Sequence, residues 1–496
     1  MSAAKSASEI WDRAAASRTA LALVDKDFLT NASNGNELNS AVKLTTSFYL
    51  LFKRSRATAQ RLFQACRFVT VNALQMKTAL SALGHRTVSP PITWLMKTAL
   101  AHPRLISLAA GFTDNASLPL GATRKLLDQI LSSPRTGQPA LQYGTTAGEM
   151  RLRELTARHL QKLDGGHALA HSPDRVVITG GSQQLLYMTM EALCDPADIV
   201  LVEDPTYFVF LGILQSRGIA ARGVKLQHDG IDIAHLETVL ECLKKSGEIQ
   251  RVKALYLVTY FQNPTGATTS LAKKRAALAL LKKYEHAAGH PIYLLEDAAY
   301  RELRFDHNAD VPTALTLPNA KTRVIYAGTY SKPFATGVRI GFGILPEPVL
   351  TTVLRIKGNH DFGTANLLQH LLARALAGPL YDQQVATARK HYARKAAVMK
   401  RALAAYFPPE VEIWEAGGGL YFWARLPKDI ATGMNSKVFR AALKQDVLYV
   451  PGGLCYASDP SRRKPDCEMR LSFGNASDKN IREGIRRLGI VLQKLI

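Results

Sequence analysis

The sequence of 496 residues contains few cysteines and no long apolar run. Its five cysteines are widely separated and show no CxxC or Cys/His spacing, so the sequence predicts neither a disulfide framework nor a bound metal. No apolar stretch approaches the roughly 18 residues that a membrane-spanning helix needs. We therefore expect a cytoplasmic protein that does not span a membrane.

Acidic residues are absent from a long segment, residues 41–113, although the segment carries many basic side chains. Over the whole chain 63 Lys and Arg outnumber 40 Asp and Glu, for a formal net charge of +23. We interpret residues 1–87, which precede a Ser-Pro-Pro breaker, as a basic N-terminal extension that is partly helical or disordered. Two interpretations stay open, an arm that contacts nucleic acid or lipid and a poorly ordered tail. Because no clear helix-turn-helix is visible, we do not expect nucleic acid as a partner.

Alternating strand and helix patterns begin at about residue 170. Short β-rich runs alternate there with amphipathic helical windows, which is typical of a mainly parallel sheet with helices on both faces. The overall composition, 47% hydrophobic and 21% charged, is that of an ordinary globular enzyme. The strands of this region are predicted at 175–179, 198–202, 254–259, 292–295, 324–327 and 340–344.

A second group of strands follows a long helical stretch at 364–406. We therefore predict an α/β fold with a large domain, whose mainly parallel mixed sheet is flanked by helices, and a smaller C-terminal α/β domain. Ligands of such sheets bind beyond the carboxyl ends of the strands, so the site is expected there, between the two domains. The C-terminal strands are predicted at 412–415, 419–425, 447–450 and 469–473. The predicted parts are the extension at 1–87, an N-terminal arm at 88–115, the large domain at 116–375 and the small domain at 376–496.

The turn after the first predicted strand, Gly180-Gly181-Ser182, leads into an apolar helix. Glycines allow a ligand to approach the backbone closely, and the N–H groups at a helix N-terminus, together with the Ser182 hydroxyl, suit a phosphate. The same turn is also an ordinary helix start. By itself it does not establish an anion site.

Polar motifs follow the later strands in a fixed order. They are Glu-Asp-Pro-Thr-Tyr at 203–207, Asn-Pro-Thr-Gly at 263–266, Glu-Asp-Ala-Ala-Tyr at 296–300, Thr-Tyr-Ser-Lys at 329–332 and Arg-Ile-Gly at 339–341. At these separations they resemble the class I/II aminotransferases of the fold-type I pyridoxal-phosphate family, in particular the kynurenine/2-aminoadipate aminotransferase branch. The resemblance covers residues from about 88 to 496. It implies a fold-type I transferase with pyridoxal 5′-phosphate as its cofactor.

Three catalytic residues are expected from this resemblance. A lysine after a strand can form a Schiff base with an aldehyde cofactor when burial and a nearby cation such as Arg339 leave its amine partly unprotonated. Lys332 occupies this position. Asp297 matches the carboxylate that keeps the pyridine nitrogen protonated, so that the ring acts as an electron sink. Tyr300 matches a tyrosine that hydrogen-bonds the phenolic oxygen of the ring.

The resemblance also implies the binding residues. Arg470 matches the arginine that clamps the substrate α-carboxylate, and Gly111 and Asn263 complete the expected substrate contacts. The family's usual proline two residues after Gly111 is Thr113 here. Tyr143 matches a tyrosine that reaches the phosphate of a neighbouring subunit, which implies a homodimer with shared active sites. The expected cofactor-binding residues are Gly181, Ser182, Gln183, Tyr207, Asn263, Asp297, Tyr300, Thr329, Ser331, Lys332, Arg339 and Tyr143.

We predict an aminotransferase that moves the amino group of an L-amino acid to a 2-oxo acid by a ping-pong mechanism, in which Lys332 carries the proton. Two alternatives stay open. The same residues would serve a lyase, cyclase or decarboxylase that uses pyridoxal phosphate, and a transcription regulator can carry an aminotransferase-like domain. The sequence does not predict which amino acid is the substrate.

Overall fold

The computed structural model describes residues 79–166, 171–305 and 310–496. The chain divides into two units, Met1–Leu80 and Ser81–Ile496, and nearly all of the described residues belong to the second. Most of the predicted N-terminal extension lies outside the described residues. The domain boundaries that we inferred from the sequence stay predictions.

A sheet of eight strands forms the centre of the second unit, in the order β2-β9-β8-β7-β6-β3-β4-β5. The strands of the described residues, numbered in chain order, are β1 Ile106–Ser107, β2 Val176–Thr179, β3 Ile199–Asp204, β4 Ala220–Gln227, β5 Gly230–Ile231, β6 Val252–Val258, β7 Tyr293–Asp297, β8 Val324–Thr329, β9 Gly341–Ile344, β10 Glu412–Trp414, β11 Tyr421–Arg425, β12 Val447–Leu448, β13 Val450–Pro451 and β14 Glu468–Ser472.

Five neighbouring strands of this sheet, β8, β7, β6, β3 and β4, run parallel, whereas β9 lies antiparallel between β8 and β2. Strands β2, β3, β7 and β8 are buried along their whole length, as in parallel sheets that are covered on both faces. The parallel strands end at one edge of the sheet, at Asp204, Val258, Asp297 and Thr329. The predicted α/β class is confirmed, and this edge is where a ligand is expected.

Helices cover both faces of the sheet. Along β3, Ile199 and Leu201 pack into the core of one face and Val200 and Val202 into that of the other, because side chains alternate along a strand. The α-helices of the described residues are Ala82–Arg86, Pro91–Ala101, Leu120–Leu131, Pro134–Leu141, Met150–Leu163, Ser182–Leu193, Phe208–Arg217, Ile233–Lys245, Leu271–Ala288, Ala320–Arg323, Val349–His360, Asn366–Ala377, Leu380–Tyr406, Lys437–Lys444 and Asp478–Gln493.

A smaller sheet, β10-β11-β14-β13, lies in the C-terminal part of the chain, as the sequence predicts. Its strands are antiparallel, and Trp423 of β11 is paired with Arg470 of β14. The helices Leu380–Tyr406 and Asp478–Gln493 pack against each other beside it. Strand β1 of the N-terminal arm pairs in parallel with β12, so the arm is joined to this C-terminal part.

The short helix Ala82–Arg86 contacts the helix Phe208–Arg217, which is one of the helices that cover the large sheet. The Arg86 Nε donates to the carbonyl of Ser216 at 3.0 Å, and the Gln215 Nε2 donates to the carbonyl of Arg86 at 2.5 Å. Residues just before the N-terminal arm are therefore fixed to the α/β core. In the described ranges, no helix has both the length and the apolar character needed to cross a membrane.

Candidate active site

A cavity of about 280 Å³ opens at the carboxyl edge of the parallel strands. It lies between the strand ends of the large sheet, strands β11 and β14 of the small sheet and the N-terminal arm. Twelve of the residues predicted from the sequence line it: Gly111, Ser182, Gln183, Tyr207, Asn263, Asp297, Tyr300, Thr329, Ser331, Lys332, Arg339 and Arg470. Gly181 directly precedes Ser182, and Tyr143 lies elsewhere.

Lys332 extends into the cavity just beyond the end of β8. Its Nζ donates to the carbonyl of Gly111 at 2.9 Å, which ties it to the N-terminal arm. Removal from water lowers the pKa of the Lys332 amine to about 8, and the nearby Arg339 and Arg470 add to the lowering. Near neutral pH an appreciable fraction of this amine is therefore unprotonated and nucleophilic.

Asp297 is the last residue of β7, and its carboxyl is 3% exposed. The Tyr256 hydroxyl donates to Oδ2 at 2.8 Å, and the Ala299 N–H donates to Oδ1 at 3.2 Å. Burial raises the pKa of Asp297 to about 6, and these two hydrogen bonds oppose the rise. A cation placed in the cavity beside this carboxylate would be stabilised strongly, because the surroundings are dry.

An anion cradle lies where the helix Ser182–Leu193 begins. Gly181 has a φ of +88°, and a Cβ there would lie 2.7 Å from Arg339 Nη2, so a side chain at this position would displace the guanidinium. The Arg339 Nη1 also approaches Ser331 Oγ at 3.5 Å. The free N–H groups of the helix start and the guanidinium together suit a phosphate.

Thr329 also lies in this cradle, but its hydroxyl is already used. It donates to the carbonyl of Ile340 at 3.2 Å and accepts from the N–H of Ser331 at 3.1 Å. The hydroxyl therefore fixes the turn that carries Ser331 and Lys332. Gln183, one residue into the helix, is exposed at the rim of the cavity.

Arg470 and Asn263 form a buried polar pair on the opposite wall. The Arg470 Nη1 donates to Asn263 Oδ1 at 2.6 Å, and Nη2 donates to the carbonyl of Ala109 at 2.6 Å, while Nε has no partner. The guanidinium lies 4.4 Å from the ring centroid of Tyr421 and 5.4 Å from that of Phe208. A buried guanidinium with a donor left over is ready to bind a carboxylate.

Three tyrosines complete the cavity wall. The hydroxyls of Tyr300 and Tyr421 share a hydrogen bond of 2.9 Å, and burial raises the pKa of Tyr300. Tyr207 is half-buried directly before the helix Phe208–Arg217, and burial also raises the pKa of its phenol. The phenols of Tyr300 and Tyr207 therefore stay protonated at neutral pH and can donate hydrogen bonds.

Several residues of the site were not singled out by the sequence interpretation. Tyr256 supports Asp297 from the interior of β6, and Phe208 and Tyr421 flank Arg470. The apolar part of the cavity is lined by Ile92, Phe112, Leu186, Val209 and Val258. Tyr421 itself was given no role, but the resemblance implies that its segment, which follows Gly417-Gly418-Gly419, faces the substrate.

Tyr143 is the predicted site residue that the structure does not bring to the cavity. Its side chain is 83% exposed, and its ring packs edge-to-face on Phe362 with centroids 5.6 Å apart. Among the described residues, no group of three or more His, Cys, Asp and Glu side chains is arranged to hold a metal ion.

Comparisons with known proteins match this architecture. The 2-aminoadipate transaminase of Thermus thermophilus is 30% identical over 396 residues, which are 79% of this chain and 91% of that protein. The structure of Pyrococcus horikoshii kynurenine aminotransferase in complex with PMP has a TM-score of 0.77 and 30% identity, covering 85% of this chain and 98% of that one. An uncharacterized HTH-type transcriptional regulator of Bacillus subtilis, YisV, is 26% identical over 79% of this chain and 74% of its own length.

The family described as aminotransferase class I and II matches residues 104–488, which is well over half of the chain. This range includes both sheets and every cavity residue that the sequence predicts. The chain belongs to the class I and II aminotransferases.

Proposed function

We propose that this aminotransferase binds pyridoxal 5′-phosphate through Lys332 and transfers the amino group of an L-amino acid to a 2-oxo acid at the cavity described above. One observation carries the assignment of the residues. A single cavity at the strand ends holds an amine with a lowered pKa, a buried carboxylate, an anion cradle and a second buried arginine.

The residues present fit this cofactor. The cradle of Gly181, Ser182 and Arg339 suits its phosphate, since a Cβ at Gly181 would displace the arginine from that place. The dry Asp297 carboxylate suits a protonated ring nitrogen. The phenol of Tyr300 and the amide of Asn263 are donors for the ring's phenolic oxygen, and Tyr207 supplies an aromatic face.

When bound, pyridoxal phosphate supplies an aldehyde for the amino group and a ring that accepts electrons from the substrate's Cα. Arg470 binds the substrate α-carboxylate through its fork of N–H groups and so fixes the orientation of Cα. The free amine of Lys332 would take the proton from the substrate's Cα as a base and, as an acid, would return it to C4′ of the cofactor. Asp297 would supply the negative charge that keeps the ring nitrogen protonated.

The proposed function is tested by running its two half-reactions separately. The purified protein is loaded with pyridoxal phosphate and mixed with one amino acid, and the absorption spectrum and the product are recorded. We expect the aminated form of the cofactor and one equivalent of 2-oxo acid, and a second 2-oxo acid should restore the first spectrum. If ammonia or carbon dioxide is released and a 2-oxo acid does not restore the first spectrum, the protein is a lyase or a decarboxylase instead.

The pH dependence of cofactor attachment follows from the pKa of Lys332. The unprotonated amine is the nucleophile, so the rate of attachment to cofactor-free protein should rise with pH and level off above about 8. Arg470→Met removes a positive charge that lowers this pKa, so the midpoint of the rate profile should move to higher pH. Stopped-flow absorbance measures both profiles. Arg440→Met, outside the cavity, serves as the control, and an equal shift in both variants would contradict the assignment.

The apolar part of the cavity indicates the substrate side chain. Among the described residues, the charged side chains that line the cavity are Asp297, Lys332, Arg339 and Arg470, and each already has a role. The same cavity is lined by apolar side chains of the arm and of the helix Phe208–Arg217, namely Ile92, Phe112, Phe208 and Val209. We infer a substrate with a large apolar or aromatic side chain.

Ile92→Ala tests this inference. Loss of the sec-butyl wall should lower kcat/KM for leucine and phenylalanine by about tenfold and leave kcat/KM for alanine nearly unchanged. Leu100→Ala, on the same helix but 78% exposed, is the matched control and should change neither value. Steady-state kinetics with each amino acid provide the measurement. An equal loss for all three substrates would show that Ile92 supports the arm and does not select the side chain.

We also propose that the chain forms a homodimer with shared sites. Tyr143 and the Phe362 ring that it contacts are 83% and 55% exposed, and both are apolar surfaces that water disfavours. Further large apolar side chains in the same stretch of sequence are exposed, and their burial against a second subunit would be favourable. They are Leu118, Leu120, Leu131, Leu141 and Met150. We expect the dimer to reside in the cytoplasm, and the four described cysteines are free thiols.

Leu141→Glu tests the dimer. A buried charge at the contact of two subunits should convert most of the protein to monomer and weaken its hold on pyridoxal phosphate. Light scattering gives the mass, and absorbance titration gives the cofactor affinity. Ile496→Glu places the same charge at another exposed apolar position and should change neither. A wild-type protein of monomer mass, or a dimer unaffected by the Leu141 charge, would contradict the proposal.

A further inference from the structure

Glu203 is a buried carboxyl that the proposed chemistry does not use. It lies near the carboxyl end of β3, and it is 0% exposed. One oxygen, Oε2, accepts from the Val258 N–H at 2.9 Å and from Gln262 Nε2 at 2.6 Å, while Oε1 has no hydrogen-bond partner. Burial of a carboxyl group costs free energy unless hydrogen bonds replace its hydration, and here only one of the two oxygens has such bonds.

Gln262, the principal partner of Glu203, connects two loops of the site. Its Nε2 also donates to the carbonyl of Pro205 at 3.1 Å, in the segment that leads to Tyr207. Its Oε1 accepts from Thr265 Oγ1 at 2.5 Å, and its backbone carbonyl accepts from the Gly266 N–H at 2.7 Å. One side chain therefore spans the turn at 262–266 and joins it to the end of β3.

Asn263 follows Gln262 directly, so the hydrogen bonds that hold Gln262 also restrict the position of Asn263. Its carbonyl oxygen Oδ1 is held by Arg470, so its Nδ2 donors are directed elsewhere in the cavity. Gln262, Asn263 and Thr265 are each no more than 3% exposed. A loss of the bond between Glu203 and Gln262 would leave one N–H of the buried Gln262 amide without an acceptor and loosen the turn that aims Asn263.

We propose that Glu203 is a positioning residue that acts through Gln262 to hold the Asn263 loop and the Tyr207 segment at the spacing pyridoxal phosphate requires. The inference rests on the proposed function, because it assumes this cofactor in the cavity. Glu203 itself does not line the cavity. Its contribution is the accepting oxygen Oε2, because this atom joins β3 to the end of β6 and to the Gln262 side chain.

The test compares Glu203→Gln with Glu203→Leu. The glutamine keeps an accepting oxygen, so its affinity for pyridoxal phosphate should remain within about twofold of wild type. The leucine lacks an acceptor and should bind the cofactor about tenfold or more weakly, as expected when a buried hydrogen bond is lost. Fluorescence titration of the cofactor-free proteins gives the dissociation constants, and circular dichroism confirms that each variant is folded. Equal losses in both Glu203 variants would overturn the proposal, since the charge or the size would then matter and not the acceptor.

Gln262→Leu tests the same connection from its other end. It should weaken cofactor binding at least as much as Glu203→Leu does, because it also removes the bonds to Pro205 and Thr265, and the double variant should be no weaker than Gln262→Leu alone. This variant also decides the question if Glu203→Leu fails to fold. Losses that multiply in the double variant, or unchanged affinity in Gln262→Leu, would overturn the proposal.

A matched control separates positioning from general loss of stability. Glu285→Leu removes a carboxylate that also accepts from a backbone N–H, that of Ile292, and pairs with Arg323 near the start of β7. It should lower the thermal midpoint and leave the cofactor affinity unchanged. A wild-type protein that does not bind pyridoxal phosphate would refute the proposed function itself, whereas normal wild-type binding with normal binding by Glu203→Leu would refute only the positioning role.

Discussion

Lys332→Ala is expected to lower kcat/KM by at least about 10⁴-fold, because one side chain is both the attachment point of the cofactor and the carrier of the Cα proton. The anion cradle and Asp297 remain in this variant, so it should still bind pyridoxal phosphate, but dialysis should remove the cofactor. Methylamine added to the assay should restore part of the activity, since a small amine can enter the cavity where the side chain was. Single-turnover kinetics with a rapidly reacting amino acid measure the loss and the rescue.

The matched control for this prediction is Lys357→Ala. Lys357 is also a buried lysine, but it pairs with Asp361 at 2.6 Å and does not line the cavity. Its loss should reduce stability and leave the rate of proton transfer unchanged. Activity in Lys332→Ala within about tenfold of wild type, measured without added amine, would mean that another group moves the proton.

Asp297→Asn is expected to lower kcat by about 10³-fold with a smaller change in KM. The asparagine preserves the shape and can still accept from the Tyr256 hydroxyl, but it cannot hold a proton on the cofactor's ring nitrogen, and a preorganised charge in a dry site is worth this much. The rate of loss of the Cα proton, followed with deuterated amino acid, is the direct measurement. Asp198→Asn, directly before the first residue of β3 and outside the cavity, is the control and should retain the wild-type rate.

Although Asp297→Asn lowers the activity, it should raise the stability of the cofactor-free protein at neutral pH. Burial raises the pKa of Asp297 from 3.8 to about 6, so the folded protein binds this proton more tightly than the unfolded chain does. The stability that the proton provides is complete below about pH 4 and is lost as pH rises through 6. Above that pH, Asp297→Asn should unfold at a higher temperature than wild type, and the difference should vanish near pH 4. A lower midpoint for the variant at pH 8 would contradict the dry environment of this carboxylate.

The sequence was sufficient to locate the cavity, because its chemistry sits at strand ends. Asp297, Thr329 and Lys332 each follow or end a short run of buried Val, Ile and Leu, and parallel strands bring such ends to one edge. Most predicted strand bounds differ from the observed ones by one or two residues, and β3 extends to Asp204. The strands after the predicted helical stretch at 364–406 could also be predicted, because apolar residues alternate along each of them or follow one another directly.

Other features depended on packing that no local pattern encodes. Strand β4, with the sequence Ala-Ala-Arg-Gly-Val-Lys-Leu-Gln, was not predicted, because it lies towards the edge of the sheet and is only partly buried. Tyr256 reads as one more apolar residue of β6, and its role appears only when β7 brings Asp297 within 2.8 Å. Phe208 and Ile92 were missed for a similar reason, since they meet at the cavity from distant parts of the chain.

The most direct test of the account is chemical identification of the lysine that carries the cofactor. The protein loaded with pyridoxal phosphate is treated with borohydride, which reduces the Schiff base to a stable bond, and is then digested and analysed by mass spectrometry. We expect the phosphopyridoxyl group on Lys332, and we expect this label to be lost when an amino acid substrate is added before reduction. A label on any other lysine, or no label on a protein that binds the cofactor, would contradict the central claim.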